Sequence, residues 1–323
     1  MMLRAFALCV LLPTLTPTAA SASECTNPDA LGTSRVLYVD PAEHPRIGSV
    51  QYRETLPLAD HEVVLTFDDG PLPPHTGRIF DALLAECVKA TFFSVGSMAR
   101  NRPALLQRAY DEGHSIGSHS QNHPFNLSRL SKAAAWTEME NGSLSVAEAL
   151  GPTRLAAPFM RFPGLSRTAA LETSAQAGGQ MIWSADIYAY DWTRISPEEV
   201  VRRPIEKLEA IGRGIVLFHD IQPRTVSALP VFLRELKQRG FKVVHVAPAG
   251  PTQAKTETMI SEWRAIDRSL LATPVKMNRP ARARSKDVRS TQSVSSPASE
   301  DSGLWFFAKP SERVRFEDPF RRN

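Results

Sequence analysis

From His61 to about Ala247, short apolar runs alternate with helical stretches, and this alternation restricts what the chain can fold into more than any other feature. Val63-Val64-Leu65-Thr66-Phe67 has the length and continuity of a strand buried on both faces, and Ala90 to Val95 is a second such run. Further strands are expected at Ser115 to Gly117, Ala157 to Arg161, Met181 to Ala185, Gly214 to Phe218 and Lys242 to Val246. Helices are expected from about Thr76 to Glu86, from Pro103 to Glu112 with Gly113 at the end, and from a Ser128 or Ser131 cap toward Leu150. Ser196-Pro197-Glu198-Glu199 is a capping box with proline at the first helical position, so another helix starts there. Strands separated by helices pair in parallel through right-handed crossovers, in an open sheet or a barrel. The polar residues favour the barrel. Asp68 and Asp69, His119, Arg161, Asp186 and His219 each fall at a strand's C-terminal end, the rim where barrel loops converge on one pocket. The expected fold is α/β, a distorted (β/α) barrel with about seven parallel strands.

The flanks are less regular. Arg4, the apolar run Ala5 to Leu12 and Ala20-Ser21-Ala22 have the layout of a secretory leader cleaved after Ala22, and the run is too short to span a bilayer comfortably. Residues 23–60 lack a strong period and contain Pro41, Pro45 and Pro57, so an irregular lead-in is expected before a catalytic domain at 61–250. In the extension at 251–323 an amphipathic helix is open at Thr256 to Leu271, while 278–302 holds almost no large apolar side chain to offset the entropy of ordering it. Leu304-Trp305-Phe306-Phe307 could dock on the body, an envelope polymer or a membrane surface, or be plain tail. The pI of about 9.0 does not signal nucleic-acid binding. Residues 276–323 hold 11 Lys and Arg against 6 Asp and Glu, a net +5, so with +4 for the whole chain the other 275 residues carry −1. Outside the cytoplasm Cys25 and Cys87 could pair, or Cys87 could pack in the core.

Two motifs carry chemistry. Thr66-Phe67-Asp68-Asp69-Gly70-Pro71 ends a buried strand with adjacent carboxylates, and His119-Ser120-Gln121-Asn122-His123 sets two imidazoles four residues apart. Either alone is an ordinary turn or a weak zinc signal. Together, one carboxylate and two imidazoles make three ligands for a metal with an open position, and the second carboxylate can handle protons beside it. That combination points to metal-assisted hydrolysis.

Over roughly His61 to Val246 the chain resembles the polysaccharide deacetylase family, the carbohydrate esterases of family 4. The resemblance rests on T-F-D-D-G at Thr66 to Gly70, H-S-x-x-H at His119 to His123, R-x-P at Arg161 to Pro163, Asp191-Trp192 and L-x-H at Leu217 to His219. It implies an exported, metal-dependent enzyme with the NodB-like barrel that removes N-acetyl groups from an amino-sugar polymer or oligomer of the chitin or peptidoglycan type. O-acetyl removal from xylan-like chains and a catalytically silent glycan-binding member are the alternatives. Carried over by position, Asp69, His119 and His123 would ligate the metal, most suitably zinc. Asp68 would be the general base, Arg161 would tune it, and His219 would be the general acid. The family's usual D-x-x-D-W is stretched here to Asp186-x-x-x-x-Asp191-Trp192, so either acid could orient His219, with Asp191 preferred. Gly164 stands where the family usually has a tyrosine; it keeps the backbone N–H that would serve an oxyanion but has no ring. Trp192 and Leu217 would wall the acetyl slot beside Pro163. The expected partner is an acetylated glycan, with no nucleic acid and no membrane span after leader cleavage. Secretion or the periplasm is the expected location. His75, His114 and His245 are given no role.

Overall fold

The computed structural model describes residues 25–272; the leader expected at 1–22 and the basic tail from Lys276 on lie outside the described residues. Ten strands and eight helices alternate along them. The first half holds β1 (Thr33–Val39), β2 (Arg46–Ile47), β3 (Glu62–Asp68), α1 (His75–Ala85), β4 (Thr91–Ser94), α2 (Gly96–Asn101), α3 (Pro103–Asp111), β5 (Ser115–Ser118) and α4 (Lys132–Leu150). Then come β6 (Phe159–Met160), α5 (Ala169–Ala177), β7 (Met181–Trp183), β8 (Ile187–Tyr188), α6 (Pro197–Ile211), β9 (Gly214–His219), α7 (Pro223–Gln238), β10 (Lys242–Pro248) and α8 (Arg268–Ala272). Two of the expected caps are in place. The Ser131 hydroxyl accepts from the Ala134 N–H at the head of α4, and Ser196 accepts from the Glu199 N–H at the head of α6.

Every ladder between these strands is parallel. Seven of them, β3 to β7 with β8 and β9, run round in chain order, with β9 returning to pair along β3 and an opening between β7 and β8. This is the expected distorted barrel. One of its strands, β8, is a two-residue piece too short to show in a periodicity, and β10, expected to be a barrel strand, instead pairs only with the first residues of β3 and carries β1 on its far edge.

The lead-in, expected to be irregular, is built into the sheet. β1 adds to β10 through six aligned positions, and β2 pairs with β7 at the barrel opening. Its prolines lie between these strands, at 41, 45 and 57, where no ladder bond is lost. The amphipathic helix open at 256–271 is absent, and only a 3-10 turn, Ile260–Trp263, and the five-residue α8 form there. Trp263 explains this. It is buried in the same apolar cluster as Leu37 and Val39 and stacks on His44, while Thr256 and Ala265 donate backbone bonds to Tyr38 and Arg53. Packing and sheet-type bonds therefore hold the segment extended.

Side-chain alternation along each strand sorts the barrel into two layers. Val63, Leu65 and Phe67 of β3 face the helices, joined by Val216 and Phe218 of β9. Val64 and Ile215 face inward with Phe93, Phe159 and Trp183. The same parity points Thr66 and Asp68, and Leu217 and His219, to the inner face at the C-terminal rim.

Candidate active site

Asp68 and His219 are register partners across the β3–β9 ladder, so their side chains start from neighbouring positions on one face. Asp68 is fully buried, and its Oδ1 accepts from Arg161 Nη1 at 2.6 Å. Arg161, also sealed from solvent, donates further to Thr66 Oγ1 at 3.0 Å and Ser184 O at 2.9 Å and lies over the Phe93 ring. Burial raises the Asp68 pKa, and the charges of Arg161 and His219 offset that rise without cancelling it. The result is a carboxylate that is paired yet more basic than usual.

Asp69 turns the other way because its backbone is left-handed, with φ +84. His123, at φ +55, shares that unfavourable region, which costs on the order of 1–3 kcal/mol per residue and persists where surrounding structure fixes it. The turn gathers three ligand atoms. Those of Asp69, His119 and His123 lie within 4.8 Å of one another, with His123 Nε2 3.2 Å and His119 Nε2 3.5 Å from Asp69 Oδ1. His119 Nδ1 bonds to the Arg161 carbonyl at 2.7 Å, which fixes the tautomer and leaves the Nε2 lone pair facing the carboxylate. Burial pushes the His119 pKa down to about 3, so the ring is neutral, as a ligand must be. Asp69 Oδ1 is buried without a hydrogen-bond partner. An orphaned carboxylate oxygen between two imidazoles is a donor set that fits a divalent cation.

His219 Nδ1 bonds to Asp191 Oδ1 at 2.8 Å. Asp191 is itself pinned, accepting at Oδ2 from the His219 N–H at 2.7 Å and from Thr225 Oγ1 at 2.6 Å. Burial opposes charge on His219, but Asp191 and the more distant Asp69 and Asp68 outweigh it and raise the pKa to about 9. The Trp192 ring stands edge-on to His219 with centroids 5.3 Å apart. Asp186 is elsewhere. It accepts from Ser49 N and Thr55 Oγ1 of the lead-in, each at 2.7 Å, and from Ile215 N at 2.9 Å, fastening the lead-in across the opening between β7 and β8.

The profile of the Polysaccharide deacetylase family matches residues 56–182. Over 200 residues the chain is 35% identical to a chitooligosaccharide deacetylase of Bradyrhizobium sp. (strain ANU 289), covering 56% of this chain and 87% of the relative. The chain belongs to the polysaccharide deacetylase family. A peptidoglycan-N-acetylglucosamine deacetylase of Bacillus cereus is 31% identical over 186 residues, 55% of this chain and 66% of the relative. Among solved structures, the Bdellovibrio bacteriovorus peptidoglycan deacetylase superposes with a TM-score of 0.60 at 34% identity, over 68% of this chain and 60% of that one.

Against the polysaccharide deacetylase pattern, the structure brings Asp68, Asp69, His119, His123, Arg161, His219 and Asp191 together and leaves Asp186 out. Leu217 is buried on the inner face and Pro163 is buried two residues on from Arg161 in the chain, while Trp192 is 42% exposed. Gly164 is exposed at φ +56, and the nearest atom to a Cβ built on it would be Phe125 Cδ1 at 3.8 Å. Phe125, unremarked in the sequence, is 75% exposed and stands edge-on to His123, so a ring does lie beside Gly164, supplied from the histidine loop. Thr225 and Asp220 were also missed; both are buried polar residues whose partners are far away in sequence. Tyr188 is largely buried and Tyr190 partly exposed, packed on each other and on Trp192. Among the described residues no helix is long and apolar enough to cross a membrane.

Proposed function

We propose that this protein is a metal-dependent deacetylase that hydrolyses N-acetyl groups of an amino-sugar polymer or oligomer, of the chitin or peptidoglycan type. The observation that carries the reading is a division of labour. A fully buried carboxylate with its own arginine and a histidine with its own aspartate stand beside a three-ligand cluster whose central oxygen lacks a partner.

Asp69, His119 and His123 would hold the cation, and their mixed carboxylate and imidazole donors suit zinc. Bound there, zinc supplies Lewis acidity toward the acetyl carbonyl and an attacking water. Asp68 takes a proton from that water, and its raised pKa makes it a stronger base than an exposed carboxylate. Arg161 keeps Asp68 oriented and paired through the step. As charge develops on the acetyl oxygen, the Gly164 backbone N–H would be the protein donor that meets it. His219, held by Asp191 at Nδ1, presents Nε2 and gives its proton to the leaving amine nitrogen as the carbon–nitrogen bond breaks. The products are acetate and a free amino sugar. Leu217 and Trp192 would border the acetyl methyl.

The Cys25–Cys87 disulfide supports a location outside the cytoplasm, in line with the leader-like N-terminus. The relatives named above support glycan as the substrate class. The test measures acetate released from chito-oligosaccharide, peptidoglycan and acetylxylan by zinc-loaded protein, by chelated protein and by chelated protein resupplied with zinc. Release from the amino-sugar substrates that chelation abolishes and zinc restores is expected. Glycan binding with no acetate from any of the three would sink the hydrolytic reading, and release from acetylxylan alone would reassign it to O-acetyl esters.

A further inference from the structure

Asp69 sits in a left-handed turn, and such a turn needs ties on every side to persist. Three ties are backbone bonds: Asp69 N–H to Phe93 O at 3.2 Å, Val95 N–H to Gly70 O at 3.1 Å, and Asp220 N–H to Asp68 O at 3.2 Å. A further one comes from a side chain. The Asp220 carboxyl is buried, 1% exposed, at the end of the β9 rim, directly against the turn. A Cβ built on Gly70 would fall 2.0 Å from Asp220 Oδ2 and 2.5 Å from Oδ1, so the carboxyl occupies the space a side chain would need there. Oδ2 accepts from Thr76 Oγ1 at 2.7 Å, and Thr76 Oγ1 accepts in turn from the Leu72 N–H at 2.8 Å. One carboxyl thus clamps both ends of the segment between β3 and α1. Its other oxygen is buried without a partner, a costly arrangement that no step of the proposed hydrolysis uses.

We propose that Asp220 is the positioning residue that holds the Asp69 carboxylate at the cation site, by clamping Gly70 against the rim and tying the turn to Thr76 at the head of α1. The inference rests on Asp69, His119 and His123 being the metal ligands. Asp220 itself reaches neither metal nor substrate; it acts through the turn, as supporting residues around metal ligands do.

Zinc is titrated calorimetrically into metal-free wild type, D220A, D220N and T76V, alongside the melting temperature of each metal-free protein and kcat and KM on chito-oligosaccharide. Loss of a supporting contact of this kind weakens metal binding by about 10- to 100-fold. D220A is expected to bind zinc at least tenfold more weakly, with kcat lowered at fixed zinc and KM within about twofold of wild type. D220N keeps an acceptor for Thr76 and should recover most of the affinity. T76V keeps the carboxyl but removes the hydroxyl, and should shift in the same direction as D220A. A lower melting temperature with wild-type zinc affinity in D220A would mean a merely structural residue and overturn the proposal. If D220A does not fold, T76V decides: unchanged zinc affinity there overturns it. A wild type that binds zinc but releases no acetate would defeat the deacetylase reading alone, since the titration still judges Asp220. A wild type that binds no zinc, cobalt or nickel would defeat both.

Discussion

His219 lies within reach of two acidic residues by sequence, and the two make opposite predictions. Asp191 bonds to the imidazole, and the charge it supplies holds the His219 pKa at about 9. A general acid must carry its proton, so the rate should fall as pH rises through that value. D191N removes the charge, lowers the pKa and should move the alkaline limb of the pH–rate profile toward neutrality, with a fall in kcat of about 10- to 100-fold. D186N should leave the limb in place and lower the melting temperature, because Asp186 satisfies three buried donors from the lead-in and β9. Equal shifts of the limb in both variants would refute this assignment. The sequence could not separate the acids, since their spacing departs from the family pattern and Asp186's partners, Ser49 and Thr55, lie more than a hundred residues away. The three candidate metal ligands were legible for the opposite reason: each sits within a short motif at a strand end, where local pattern and chemistry coincide.

At the scale of elements, the histidine loop takes its shape from α4. Glu138 accepts from the Gln121 N–H through its carbonyl and from the Asn122 N–H and side-chain amide through its carboxylate. Gly142, one turn further on, lets the helix press against the loop: a Cβ there would fall 2.4 Å from Ser120 C, a backbone atom that cannot swing aside. G142A should therefore push the loop away from Asp69 and weaken zinc binding, while E148A, on the exposed side of the same helix, should not. Zinc affinities of the two variants check this, and equal affinities would show that the loop holds itself. α4 was legible from its cap and length, but the function of its inner face was not, because nothing in a helical period says what the helix leans on. β1 escaped for a related reason. Its burial alternates, but only Leu37 and Val39 of its seven residues are fully buried and the outward positions include apolar Val36 and Tyr38, so the sequence shows little polar–apolar alternation. The barrel strands β3 and β9, sealed on both sides, announced themselves as near-continuous apolar runs.

The whole molecule carries an acid sensitivity separate from the rim. His245 is buried with its Nε2 3.1 Å from Ser115 Oγ, and burial, with His114 and Lys89 nearby, pushes its pKa down to about 3. The unfolded chain takes up that proton near the ordinary histidine value of about 6.5. The stability due to neutral burial is therefore complete above about pH 6.5 and is lost progressively as pH falls toward 3. Melting temperatures from pH 7 to 4 should decline, and H245Q should flatten the decline; an unchanged slope would assign the sensitivity elsewhere. Stability has a second, covalent source. The Cys25–Cys87 bond spans 62 residues, and loop closure of that length limits the unfolded chain by up to about 4 kcal/mol in the chain-entropy model. C87S should lower the melting temperature by several degrees.

Cys87 lies between α1 and the start of β4, whereas Asp68, His119 and His219 lie where strands finish. In a parallel barrel those are opposite poles. The molecule is thus riveted underneath and carries its candidate site on top, and a phosphine reductant should loosen the foundation long before it disturbs metal binding. Thermal resistance and catalytic output can be tuned independently of each other.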